Sequence, residues 1–220
     1  VCKVMFEYQT TNSVFQFSDV SDDIKESLIF VPFNRYESWA RKVIVESFSD
    51  DGFGNKITYT PLDGKGISKN SDEHVHLVIV GMSKMGVAMG VLALSHAHYV
   101  NYAAAEMIPN QEERERKKDK TRTRITFIDT NADKEMALFK SHYENLFSLA
   151  RHRYIDIKDS AEPEWNDPMQ KADCKWRHLS RDAQNFIDVE IEFVKGELES
   201  EGVRDFLLGL PDSKLTIAIC

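Results

Sequence analysis

His76-Leu-Val-Ile-Val-Gly-Met-Ser-Lys-Met-Gly86 is the stretch on which the fold turns. Its first half is a continuous apolar run, the composition of a strand buried on both faces of a parallel sheet. Its second half is a glycine-bounded turn. Lys84–Tyr99 then follows, dense in Met, Val, Ala and Leu and free of proline, and predicts a buried helix. Strand, glycine turn and helix in this order place backbone amides at a helix N-terminus, where they can meet an anion.

Downstream the same alternation continues. Asn101–Arg124 is polar and leads to a second apolar strand, Ile125-Thr-Phe-Ile-Asp129. Thr130 and Asp133 have capping-box spacing at the start of a helix whose inner face is Met136, Phe139, Tyr143, Leu146 and Phe147. Arg151–Asn185, with Pro163, Trp165, Pro168 and Trp176, is a long interruption. At its end Trp176, Leu179, Ala183 and Phe186 share the spacing of a surface helix. A third strand is expected at Val189–Val194, then a short helix around Ser200–Leu208 ended by Gly209 and Pro211, and a fourth strand at Leu215–Cys220. Strands alternating with helices imply an α/β fold, a parallel sheet with crossover helices. Right-handed crossovers put the turn after the first strand at the sheet edge where ligands bind.

Upstream the texture differs. Val4, Phe6 and Tyr8 alternate with polar neighbours, as do Phe15 and Phe17, which suggests two short strands. Asn34 can cap a helix carrying Tyr36, Trp39, Ala40, Val43 and Ile44 on one face, with Gly52 and Gly54 stopping it. Asp63–Asp72 has the composition of a linker. The division expected is a small mixed α/β segment over 1–72 and a Rossmann-like domain over 73–220, with an insertion at about 151–187. The latter would be the front half of such a sheet, about four strands.

Totals narrow the classes. The 220 residues are 42% hydrophobic and 29% charged, enough to fill a soluble core. A net charge of -8 argues against a general nucleic-acid binder, which must neutralise phosphates. The basic run Arg114–Arg124 is interleaved with Glu115 and Asp119, as in a solvated helix end or loop. Cys2, Cys174 and Cys220 are far apart and odd in number, which reads as reduced thiols of a cytoplasmic protein. No apolar run approaches the roughly 18–20 residues of a membrane span, and no signal peptide is expected. The chain opens with Val, so a fragment of something longer is expected.

Within the glycine turn each residue has a part to play. Gly81 can make the tight turn, and Gly86 can let helix and strand approach closely. Ser83 holds the place where a second glycine would bring backbone to a pyrophosphate, though its hydroxyl can also donate to phosphate. Met82 and Met85 complete the loop, and Lys84 adds a full positive charge. Gly90, one turn on, gives further room. Asp129, at the end of the second strand, is placed to accept from ribose hydroxyls, beside Thr130. It lies further from the glycines than the usual ~20 residues because of the Asn101–Arg124 stretch.

At these residues the chain resembles the TrkA-N, or RCK N-terminal, family of regulatory domains found on bacterial potassium channels and transporters. The residues that carry the resemblance are His76-Leu-Val-Ile-Val-Gly81, Gly86 and Arg124-Ile-Thr-Phe-Ile-Asp129-Thr-Asn-Ala-Asp133. Phe33-Asn34-Arg35-Tyr36-Glu37-Ser38-Trp39-Ala40-Arg41 is similar to a stretch just ahead of that domain in proteins where it follows a membrane segment. The resemblance covers Val75–Tyr143 and, loosely, Val189–Cys220, and departs from the family's usual glycine at Ser83. It implies a non-catalytic module that senses NAD(H), ATP, ADP, AMP or a related adenine nucleotide, as a homodimer on the cytoplasmic side of an attached membrane segment. Carried over by position, phosphate would fall on Gly81, Met82, Ser83, Lys84, Met85 and Gly86, and ribose on Asp129 and Thr130.

No catalytic constellation stands out: there is no G-x-S-x-G and no Cys–His pairing. His74 and His76 can share a strand face, but no third ligand completes a metal set, so no metal is expected. Two alternatives remain: an NAD-dependent oxidoreductase fragment lacking its substrate domain, and a degenerate Rossmann scaffold that binds only protein.

Overall fold

The computed structural model describes residues 2–7, 30–44, 48–50, 56–58, 62–64, 66–159, 163–168, 188–211 and 214–220. The expected strand at Phe15 and Phe17, the glycines at 52 and 54, and the helix around Trp176–Phe186 lie outside the described residues, as does Tyr8.

A five-stranded sheet, parallel at every pairing, forms the frame. Its strands are β5 (Val75–Val80), β6 (Thr123–Asp129), β7 (Arg151–Asp156), β8 (Val189–Lys195) and β9 (Lys214–Ile219), in spatial order β7-β8-β6-β5-β9. The helices between them are α2 (Lys84–His96), α3 (Val100–Ala105), α4 (Gln111–Thr121), α5 (Ala132–His142), α6 (Glu144–Phe147) and α7 (Glu201–Leu208). The α/β class, the Rossmann-like parallel sheet and the small N-terminal segment are as the sequence predicts. In that segment β1 (Cys2–Phe6) pairs in parallel with β2 (Phe30–Asn34), which runs into α1 (Arg35–Ile44), and β3 (Phe48–Asp50) pairs antiparallel with β4 (Lys56–Thr58).

Alternation along the strands divides the core between two faces. Leu77, Ile79, Ile125, Phe127, Ile191 and Phe193 point to the face covered by α2 and α5. Phe127 stacks on Phe193 at 5.6 Å between ring centroids, and Phe139 of α5 meets both rings. Burying each of these side chains contributes about 1.5–3 kcal/mol. Val78, Ile128 and Val194 point the other way, against Val203, Phe206 and Leu207 of α7. Helices on both faces make the sheet doubly wound.

The N-terminal segment joins the first of these cores. Asn34 caps α1 as expected, its Oδ1 accepting from Tyr36 N (2.9 Å) and Glu37 N (3.1 Å). Ala40 and Ile44 are buried and Tyr36 packs against the same cluster, one helical stripe at i, i+4 and i+8. Trp39 and Val43, expected on that inner face, are exposed instead. They sit to one side of the stripe that meets α2. Leu62 and Ile67 are also buried in this cluster.

Two further departures have clear physical causes. The interruption after Ala150 opens with a strand, β7, at the edge of the sheet. Its polar residues are matched by its neighbour: Arg151 stands in register with Glu190 and Arg153 with Glu192. Helix α5 starts from Asn131 as N-cap, with no side-chain cap bond, so the Thr130–Asp133 capping box does not form. Asp129 has already turned the chain by accepting from Asn131 N at 2.8 Å. The Asn101–Arg124 stretch holds all but the first residue of α3 and the whole of α4, the latter a largely solvated helix. Among the described residues no helix is long and apolar enough to cross a membrane.

Candidate functional site

The glycine turn leaves the C-terminal end of β5, the strand flanked by β6 on one side and β9 on the other. From β5 the chain goes over to β6, whereas β9 is reached from β8 through α7. This is the point where connections diverge and a crevice opens above the strand ends.

Gly81 adopts φ 95°, which an L side chain rarely takes. A Cβ there would stand 2.4 Å from the Cys220 carbonyl oxygen. Its amide donates to Ile128 O at 2.8 Å, holding the turn against the end of β6. A Cβ on Gly86 would come within 2.2 Å of Gly81 O, and one on Gly90 within 2.3 Å of the Phe127 ring. These glycines let α2 lie close on the sheet.

Ser83, in the position of the fingerprint's second glycine, has φ -63° and ψ 170°, a backbone that any residue adopts. Its side chain folds back on its own helix, and Oγ accepts from Gly86 N at 3.2 Å. Serine therefore serves as the N-cap of α2 and occupies one of the free amides at the helix N-terminus. Lys84 Nζ donates to Glu7 Oε1 at 2.5 Å. This ion pair is substantially solvated, and Lys84 beside Glu7 holds the Glu7 carboxyl below the usual range. Met82 is buried and Met85 packs on the core.

Asp129 faces this turn directly. Its Oδ2 accepts from Met82 N at 2.8 Å and its Oδ1 from Asn131 N at 2.8 Å. The carboxylate at the tip of β6 and the glycine turn after β5 are thus brought together across 47 residues of sequence. Thr130 is exposed beside them and lines a hollow of about 420 Å³ with Asp156, Lys195, Gly196, Glu197 and Ser200, at the C-terminal ends of β6, β7 and β8. A second hollow of about 210 Å³ opens on the other side of the turn, lined by Glu7, Tyr36, Met82, Lys84, Leu138 and Tyr143 among others.

Two participants escaped the sequence. Glu7 lies 77 residues from the lysine it meets, and nothing local marks it. Asn34 was legible as a cap but not as a clamp: its Nδ2 also donates to Phe6 O (2.9 Å) and Glu7 O (3.1 Å). That buried amide fixes the chain carrying Glu7 to α1, and α1 is packed on α2. Lys195-Gly196-Glu197 could have been sought as the turn after the strand beside β6. Among the described residues no group of three or more His, Cys, Asp or Glu is placed to hold a metal ion.

No protein-family model matches the chain, and comparison with curated proteins and with solved structures finds no match.

Proposed function

We propose that the molecule is a nucleotide-sensing regulatory domain whose ligand is an adenine nucleotide, NAD(H) or one of ATP, ADP and AMP. The observation that carries this is the 2.8 Å contact between Asp129 Oδ2 and Met82 N. It puts a carboxylate suited to ribose hydroxyls beside an amide-bearing turn suited to phosphate, at the crevice where parallel sheets take ligands. Phosphate would lie over Gly81, Met82, Ser83, Lys84, Met85 and Gly86, and ribose on Asp129, with the base in the hollow beside Thr130.

The anchors satisfy one another: Met82 N with Asp129, Gly86 N with Ser83, Lys84 with Glu7. A phosphate competes with Glu7 for Lys84, and a ribose competes with Met82 N for Asp129. Binding therefore favours an arrangement in which Glu7 is released, and β1 and α1 carry that change outward. A ligand can shift such a balance only by its differential affinity for the two arrangements. By resemblance to the TrkA-N family, the same reading includes a homodimer attached to a bacterial potassium channel or transporter on its cytoplasmic side.

Calorimetric titration with NADH and with ATP tests the proposal. Saturable heat is expected for one of them, weakened about tenfold or more in Asp129→Asn, the scale of a lost charged hydrogen bond. No heat and no thermal shift at millimolar nucleotide would retire it. The mutual satisfaction of the anchors favours a second reading, a degenerate scaffold that binds only protein, and the silent titration is the result it requires.

A further inference from the structure

From mid-sheet toward the end away from the glycine turn, the second face carries charge where apolar side chains would be usual. A buried chain of hydrogen bonds runs across four strands there. His76 Nε2 meets Thr126 Oγ1 (2.8 Å), Thr126 Oγ1 donates to Glu192 Oε2 (2.7 Å), and Arg153 Nε donates to Glu192 Oε1 (2.6 Å). Beside it Arg124 Nε donates to buried Glu190 at 2.7 Å. These groups answer each other. Arg122, the residue between α4 and β6, joins them only through a long ion pair to Glu190. It is only 7% exposed, and its Nε is buried without a hydrogen-bond partner. The nearest carboxylate oxygen, Glu190 Oε2, stands 4.0 Å away, too far for a hydrogen bond. The Tyr102 ring centroid lies 5.2 Å from its guanidinium, and the buried Glu190 and Asp188 carboxylates both feel its charge.

Arg122 lines a hollow of about 370 Å³ together with His74, Lys120, Arg124, Asp72, Asp119 and Pro211. His74 Nε2 is likewise buried without a partner. The two aspartates do not supply the missing acceptor, because each is engaged elsewhere: Asp72 by Lys117 and Asp119 by Arg151 at 2.6 Å. Glu190 is already bonded to Arg124. Lys120, exposed at the rim, has no ion pair within 4.0 Å among the described residues. Around a hollow that Asp72 and Asp119 also line, Arg122 Nε and His74 Nε2 are thus left without a hydrogen-bond acceptor, and Lys120 without an ion pair among the described residues. A buried guanidinium N–H without an acceptor is costly, and the guanidinium fork matches a carboxylate or phosphate.

We infer that this hollow, lined by His74, Lys120 and Arg122, is a binding site for a small oxyanion, a phosphate or carboxylate group, separate from the glycine turn. Gly81 and Asp129 stand at the C-terminal ends of β5 and β6; His74 and Arg122 stand just before their N-terminal ends. Along each strand six residues separate the two sites, seven rises and on the order of 23 Å. The C-terminal dipole of α4 works against an anion here. Attraction must therefore come from the full charges of Arg122 and Lys120.

The test is a titration of the intact chain with inorganic phosphate, and separately with succinate, at constant ionic strength. It is read by thermal shift and by the ring resonances of His74. Saturable binding of at least one anion is expected, unchanged in Lys84→Gln at the glycine turn. Lys120→Gln and Arg122→Gln should each weaken it about tenfold or more. Lys120 is exposed, so its variant keeps the test valid if Arg122→Gln does not fold. Binding of phosphate alone or succinate alone identifies which group the site takes. The proposal is overturned if neither anion binds at tens of millimolar, or if binding survives Lys120→Gln unweakened. Loss of binding in Lys84→Gln would place the anion at the glycine turn and overturn it equally. A silent nucleotide titration would leave this result standing, since the two sites share no residue.

Discussion

Both oxygens of Asp129 accept from backbone amides, and Lys84 is held by a carboxylate from the N-terminal segment. A nucleotide must displace these partners, so removing one should help it bind. Glu7→Gln is expected to strengthen nucleotide binding several-fold at low salt, with the gain shrinking as salt screens the exposed pair. Calorimetry at two ionic strengths reads this directly. His76 offers a separate test. Burial, with Arg124 and His74 adding to it, pushes its imidazole down to about 3. The unfolded chain therefore binds a proton below about pH 6.5 that the folded chain refuses. Stability from this group is full above that pH and falls on acidification, by up to about 1.4 kcal/mol per pH unit. In His76→Gln the slope of unfolding free energy between pH 6.5 and 5 should flatten by that amount, measured by urea titration.

At the scale of elements, the pairing of β7 with β8 rests on charge in register. Arg153 is bonded to Glu192, which is fully buried. Arg153→Ala leaves that carboxylate without its cation and should cost about 3–5 kcal/mol, whereas Arg153→Met with Glu192→Leu should recover most of it. A double-mutant cycle in urea measures the coupling. The same pairing shows why β7 is not legible as a strand in the sequence. Arg-His-Arg looks like solvated chain until Glu-Ile-Glu is set beside it, and periodicity within one segment carries no information about its neighbour. By contrast β5, β6 and β8 were legible, because strands buried on both faces must be apolar over most of their length. Helix α2 was legible from its turn and its small residues. Gly90→Ala should cost about 1–3 kcal/mol through the Phe127 ring it would strike.

For the whole molecule, what the sequence could convey was the order of strands and helices and the place of the turn. What it could not convey was which distant groups meet there. Glu7 closing on Lys84, and Asn34 tying that carboxylate to α1, depend on the N-terminal segment packing onto α2. Ser83, which stands where the fingerprint has its second glycine, is a helix cap. That role is compatible with a ligand above the turn, since the hydroxyl is folded back onto the helix. The molecule thus joins a parallel sheet with an open crevice at one end to a segment resting on the crevice's rim.

The most direct test is the backbone amide resonance of Met82 in the labelled protein, followed as NADH, ATP, ADP or AMP is added. Saturable shifts of Met82, Gly81 and Gly86, with Asn131 moving as Asp129 changes partners, are predicted for at least one nucleotide. If all four amides stay in place at millimolar concentrations of every one, the glycine turn and Asp129 are not a nucleotide site.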